Sequence, residues 1–236
     1  FNIKAEEQRE PFGIYINDQY AASENQLTFD YGVTLSPEVS GTTTALIMWM
    51  SETDYNAGST DWKDWSMLPE QPMPGKYYIG FNDFDKNDKL ENGDRFSFII
   101  QPAKLDTPSN LLWNGLTVSW DAVNTASVTG ALASNADSDA VIDEGSMGGY
   151  TVSLYKDNVE KYNTTVTSAS IDLSEKITSL GYGDYTVMVV ANSADTSKYT
   201  DSDAAQRNKT YKDEINPVIL SFSAGEGENS GKLIAN

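Results

Sequence analysis

Leu116-Thr117-Val118-Ser119-Trp120-Asp121, then Gly149-Tyr150-Thr151-Val152-Ser153-Leu154-Tyr155, then Leu180-Gly181-Tyr182-Gly183-Asp184-Tyr185-Thr186-Val187-Met188-Val189-Val190-Ala191: these three runs decide the fold. In each, apolar and polar residues alternate. Leu116, Val118 and Trp120 share one face of a strand, and Thr117, Ser119 and Asp121 share the other. Tyr150, Val152 and Leu154 repeat the pattern, as do Tyr185, Val187, Val189 and Ala191. A two-residue period means one face buried and one wet, as in an antiparallel sheet covered on a single side. Two such sheets packed face to face make a β-sandwich.

The same residues resemble a fibronectin type III module over about Lys104 to Lys212. In that family a Trp occupies the second strand of the first sheet, and Trp120 is similar in position. A Leu precedes a Tyr by five residues at the corner before the sixth strand, as Leu180 precedes Tyr185. The resemblance implies a tyrosine corner, with the phenol hydroxyl tied to nearby backbone. Thr107-Pro108-Ser109-Asn110-Leu111 resembles the opening of such a module. The connection from Val123 to Gly148 is longer than the family usually has. In bacteria such modules often act as structural parts of surface proteins or of secreted polysaccharide-degrading enzymes. The resemblance therefore implies a structural, non-catalytic role outside the cell.

Working outward, residues 1–103 read as a separate Ig-like β-sandwich. Leu27, Phe29, Tyr31, Val33 and Leu35 alternate with polar or small residues and predict one long strand. Phe12, Ile14 and Ile16 predict another, and the run Ala45 to Met50 predicts a strand buried on both faces. Tyr77, Ile79 and Phe81 alternate, as do Phe96, Phe98 and Ile100, with Gly93-Asp94 as a hairpin entry. The boundary falls near Gln101-Pro102-Ala103-Lys104, where proline interrupts pairing and stiffens the join. A semi-rigid all-β tandem is expected: 1–103 Ig-like, 104–212 fibronectin type III-like, and 213–236 a tail or the start of a further module.

Composition narrows the chemistry. The chain has 236 residues and a net charge of −19, which repels phosphate backbones and anionic membranes. Nucleic acid is excluded as a partner. Nothing approaches the apolar length of a spanning helix, so no membrane insertion is expected. Phe1-Asn2-Ile3-Lys4 reads as the start of a processed chain. With no cysteine, a disulfide-stapled ectodomain is disfavoured; a bacterial surface protein fits and so does a cytosolic one, and the fibronectin-like module and the Ser/Thr/Asn-rich loops favour the outside. With no histidine either, Ser–His–Asp and Cys–His catalysis and His/Cys zinc sites are ruled out. No acid pair stands out for glycoside hydrolysis among 35 Asp and Glu residues.

Three segments are candidates for a site. In Asp83 to Asp94, Asp83, Asp85, Asn87, Glu91 and Asp94 occupy the spacing of a calcium loop, which leaves calcium as the one cofactor in question. Its sixth position is Asp88, where the sharp turn calls for glycine, and strands flank it, so a solvated hairpin loop is the better reading. Asn135-Ala136-Asp137-Ser138-Asp139, with Asp143 and Glu144 beyond, is acid-rich and reads as a disordered loop. Tyr55, Trp62 and Trp65 lie in Ser51 to Pro74, a connection longer than most in compact domains. Exposed Trp faces there would stack on sugar rings or partner side chains; Trp folded back would instead close an edge of the core. The leading expectation is an adhesion, spacer or display tandem whose partner is an extracellular protein or polysaccharide. The alternative is a carbohydrate-binding module using Tyr55, Trp62 and Trp65.

Overall fold

The computed structural model describes residues 13–21, 26–40, 45–83, 95–128, 140–213, 222–224 and 233–235. The first sandwich is built from β1 (Gly13–Ile16), β2 (Gln19–Ala21), β3 (Leu27–Asp30), β4 (Pro37–Ser40), β5 (Ala45–Ser51), β6 (Lys63–Asp64), β7 (Gly75–Asp83) and β8 (Arg95–Gln101). One sheet runs β2-β1-β4, the other β3-β8-β7-β5-β6. The tight β1–β2 hairpin is made by Asn17 and Asp18, both at positive φ, as a two-residue primed turn requires. The β3–β8 pair is parallel, the remaining pairs antiparallel. Phe29, Ile79, Phe98 and Ile100 project from the large sheet into the core, which Ile14 and Ile16 close from the small one.

β3 is shorter than its alternation predicts. It stops at Asp30, and a turn follows in which Val33 donates its amide to the Asp30 carbonyl at 3.2 Å. Gly32 has φ +92, which ends the extended run. Asp30 and Tyr31 are consecutive and both buried, so the period-two pattern is broken there. Tyr31 turns toward the second sandwich instead of completing the strand.

The second sandwich follows after Pro102. Its elements are β9 (Ala103–Leu105), β10 (Leu112–Asn114), β11 (Thr117–Ser119), β12 (Thr125–Ser127), β13 (Ala140–Val141), β14 (Met147–Lys156), β15 (Val159–Val166), β16 (Ser170–Asp172), helix α1 (Ser174–Leu180), β17 (Gly183–Ser193), β18 (Tyr199–Thr200) and β19 (Ala205–Tyr211). The facing sheets are β10-β11-β16 and β15-β14-β17-β19. Lettered by chain order as A, B, C, C′, E, F and G, this is A-B-E against C′-C-F-G. It is an Ig-type sandwich whose fourth strand pairs with C rather than with E. Val118, Val152, Leu154, Val187 and Val189 fill the interface between the sheets, and each contributes about 1.5–3 kcal/mol through burial.

Trp120 is buried at the end of β11, its ring edge-on to Tyr150 at 5.1 Å between centroids. Tyr185 is buried, and its hydroxyl donates to the Gly181 carbonyl at 2.5 Å. This is the expected corner. The carbonyls at the end of α1 are also reached by the Lys156 ammonium, 2.6 Å from the Leu180 oxygen.

The long connection from Val123 to Gly148 contains β12 and β13. β12 and β13 pair with each other, and β12 pairs with β9. Residues 129–139, including Asn135 to Asp139, lie outside the described residues. Beyond β19, β20 (Phe222–Ala224) pairs antiparallel with β21 (Leu233–Ala235).

Candidate functional site

The connection between β5 and β7 carries Tyr55, Trp62 and Trp65. It opens with a single helical turn, Glu52–Asn56, capped by Ser51, whose hydroxyl accepts the Asp54 amide at 3.2 Å. This turn lays Tyr55 flat on Tyr78, at 3.8 Å between centroids and 15° between planes. Adjacent residues of a strand face opposite ways, so Tyr78 is on the outer face of the sheet while Tyr77 is on the core face.

Trp62 is half-buried just before β6. β6 holds the buried Trp49 in place: the indole donates to the Asp64 carbonyl at 3.1 Å, and the Lys63 ammonium sits 5.3 Å from the ring centre. A 3-10 turn, Trp65–Met67, follows, capped by Asp64, whose carboxylate accepts both the amide and the hydroxyl of Ser66. Those bonds hold the Asp64 carboxyl below its ordinary range. Trp65 is half-buried and packs on Phe98 at 6.0 Å, on the core side. Tyr77 stacks on the same Phe98 at 5.4 Å, and its hydroxyl donates to the Met73 carbonyl at 2.7 Å.

Tyr55 and Trp65 therefore lie on opposite faces of one sheet and do not form a common platform. What the connection does expose is Met67, at 67%, and Met73, at 45%. Sequence reasoning centred on the aromatics passed over these methionines. Their signal was the run Met67-Leu68-Pro69 with Pro72-Met73-Pro74, apolar residues that prolines hold out of any strand.

Of the calcium candidates, Asp83 ends β7, while Asp85, Asn87, Glu91 and Asp94 lie outside the described residues. Among the described residues no group of three or more carboxylates converges to hold a metal ion. Asp143, set beside the acid-rich loop in the sequence, faces the first sandwich. Its carboxylate accepts from the Tyr31 hydroxyl at 3.0 Å and from the Lys198 ammonium at 2.8 Å. Its amide donates to the Tyr199 hydroxyl at 3.1 Å. The rings of Tyr31 and Tyr199 meet edge to face at 5.5 Å, and Lys198 lies 5.5 Å above Tyr31. β9, directly after Pro102, pairs parallel with β18 beside this cluster. One apolar cluster continues through both sandwiches.

No protein-family model matches the chain, and no curated protein matches it. Among solved structures, the chain is similar to the fibronectin(III)-like modules of CbhA from Clostridium thermocellum, with 11% identity, TM-score 0.24, and 84% of this chain and 94% of that one covered. It is similar to the FN1-FN3 domains of chicken CNTN1, with 13% identity, TM-score 0.29, and coverage of 90% and 69%. Domains A168-A170 of titin are similar at 11% identity and TM-score 0.26, with coverage of 84% and 65%. Strand order and the Tyr185 corner define the fold independently of these likenesses. The chain is an Ig-like β-sandwich followed by a fibronectin type III-like one.

Proposed function

We propose that the chain is a non-enzymatic extracellular or cell-surface protein of bacterial type, a tandem of modules that serves as spacer, display or adhesion segment. One observation carries this reading: the junction built from Tyr31, Asp143, Lys198 and Tyr199 around the parallel β9–β18 pair. Modules on a flexible linker change orientation freely. Here the linker is a sheet strand, and a charged hydrogen-bonded cluster spans the join. Such a segment transmits position from one end to the other. The absence of histidine and cysteine supports a non-catalytic role.

Small-angle scattering tests the proposal. The wild-type chain should scatter as one fixed arrangement, and Asp143→Ala should broaden the distribution of shapes. A wild-type chain that already samples many orientations would reject the spacer reading. Retention on insoluble polysaccharide tests the carbohydrate reading separately: binding lost in a stable Trp62→Ala or Trp65→Ala variant would replace the proposal with a carbohydrate-binding module.

A further inference from the structure

We propose that residues 62–74 of the first sandwich form a docking surface for a protein segment that presents apolar side chains flanked by lysine or arginine. This rests on the adhesion part of the reading above and names the partner's chemistry.

The surface is apolar and outward. Met67 and Met73 are both exposed large apolar residues. Pro69 is exposed beside them, and Leu68 is half-buried. Both methionines are anchored to the same part of the sheet, because Trp65 and Tyr77 both pack on Phe98. Met67 shares the 3-10 turn with Trp65, and the Met73 carbonyl is held by the Tyr77 hydroxyl.

The backbone beneath the patch is set in advance. The Leu68 amide closes the turn on the Trp65 carbonyl at 2.9 Å, Asp64 caps its start, and Pro72 is buried. Ordering a partner here costs little loop entropy. Only the thioether side chains need adjust, and methionine adapts readily to irregular apolar partners.

The geometry favours protein over sugar. Saccharides stack on open aromatic faces, but Trp65 leans on Phe98 and one face of Tyr55 is taken by Tyr78. Flexible thioethers offer no flat face. Charge sets the partner's sign. Asp61, Asp64 and Glu70 lie in or beside this stretch of the chain against two lysines, Lys63 and Lys76, whose ammonium groups lie over Trp49 and Tyr78. With a net charge of −19 behind them, these acids steer a basic segment inward and repel an acidic one.

The test uses the full chain with ¹³C-methyl-labelled methionine and three probes: a synthetic peptide of alternating leucine and lysine, its leucine–glutamate counterpart, and a soluble cello-oligosaccharide. The basic peptide should shift the Met67 and Met73 methyl signals, and the other two probes should not. Met67→Ser with Met73→Ser should weaken that binding by about tenfold or more, since burial of each methionine is lost. Asp61→Lys with Glu70→Lys should weaken it as well, with an unchanged melting temperature. Unmoved methyl signals with the basic peptide, or equal binding of the acidic one, would overturn the proposal. Shifts caused by the oligosaccharide alone would also overturn it, and would support the sugar reading. None of these variants touches the junction, so this outcome is separate from the scattering result.

Discussion

The Tyr31 hydroxyl of the first sandwich donates to the Asp143 carboxylate of the second, 112 residues further along the chain. The bond joins the two modules directly, beside the edge-to-face contact of Tyr31 with Tyr199. Asp143 also takes the Lys198 ammonium, so one carboxylate ties a turn after β3 to the segments on either side of the C and F strands.

Acid should loosen this tie. The hydrogen bond from Lys198 holds the Asp143 carboxyl below its ordinary 3.8, with Tyr31 adding to the effect and desolvation opposing it. A lowered value means the ionised form stabilises the fold. That contribution is complete above the ordinary carboxylate range and is lost as pH falls through the lowered value. Wild type should therefore be more stable than Asp143→Asn at neutral pH, and the two should converge in strong acid. Parallel denaturant titrations at a series of pH values measure this; curves that stay equally separated down to strong acid would contradict it.

Gly32 should not accept a side chain. Its φ is +92, and a Cβ there would stand 2.8 Å from the Ala140 Cβ, across the junction. Gly32→Ala meets both a disfavoured backbone, worth about 1–2 kcal/mol, and a neighbour that must move. The melting temperature should fall and the junction open, seen as a larger radius of gyration. An unchanged radius would show that β13 yields without disturbing the join.

Tyr185→Phe removes a buried hydroxyl from the Gly181 carbonyl and should cost about 1 kcal/mol or somewhat more. Lys156 reaches the same carbonyl at 3.5 Å. The two changes should therefore be non-additive, with Tyr185→Phe costing more when Lys156 is replaced by Met. A double-mutant cycle gives the coupling; strict additivity would mean that Lys156 serves Leu180 alone.

Trp120→Ala should destabilise the second sandwich by roughly 3–5 kcal/mol. Its indole nitrogen is buried without a hydrogen-bond partner among the described residues. Trp120→Phe should cost clearly less than Trp120→Ala, since a phenyl ring keeps part of the packing and there is no indole hydrogen bond to lose. Equal losses for Phe and Ala, by thermal or denaturant melting, would show that the site recovers nothing from a smaller ring.

Calcium should leave the melting temperature unchanged, since strands flank the Asp83 loop and Asp88 stands where glycine is wanted. A calcium-dependent rise that Asp85→Ala removes would make the loop a metal site.

The facing sheets of the second module are legible in the sequence. Alternation at Tyr150-Val152-Leu154 and Tyr185-Val187-Val189 is a local property, and burying one face of each strand leaves few arrangements open. The Leu180-to-Tyr185 spacing pointed to a corner through the resemblance to fibronectin type III modules, and the Tyr185 hydroxyl does reach the Gly181 carbonyl. In the first module the same rule overreached at Leu27 to Leu35, since periodicity does not reveal where a tertiary contact draws a side chain off its strand. Only the three-dimensional arrangement decided that Tyr31 leaves β3 for Asp143, and that Asp143 is a junction residue rather than the flank of a disordered loop. It also decided which residues of the 51–74 connection face solvent. Large aromatics gain most from burial and turn toward Phe98 and Tyr78, while Met67 and Met73 remain outside. Exposure is a competition among side chains for one core, and its outcome depends on neighbours that lie far away in the chain.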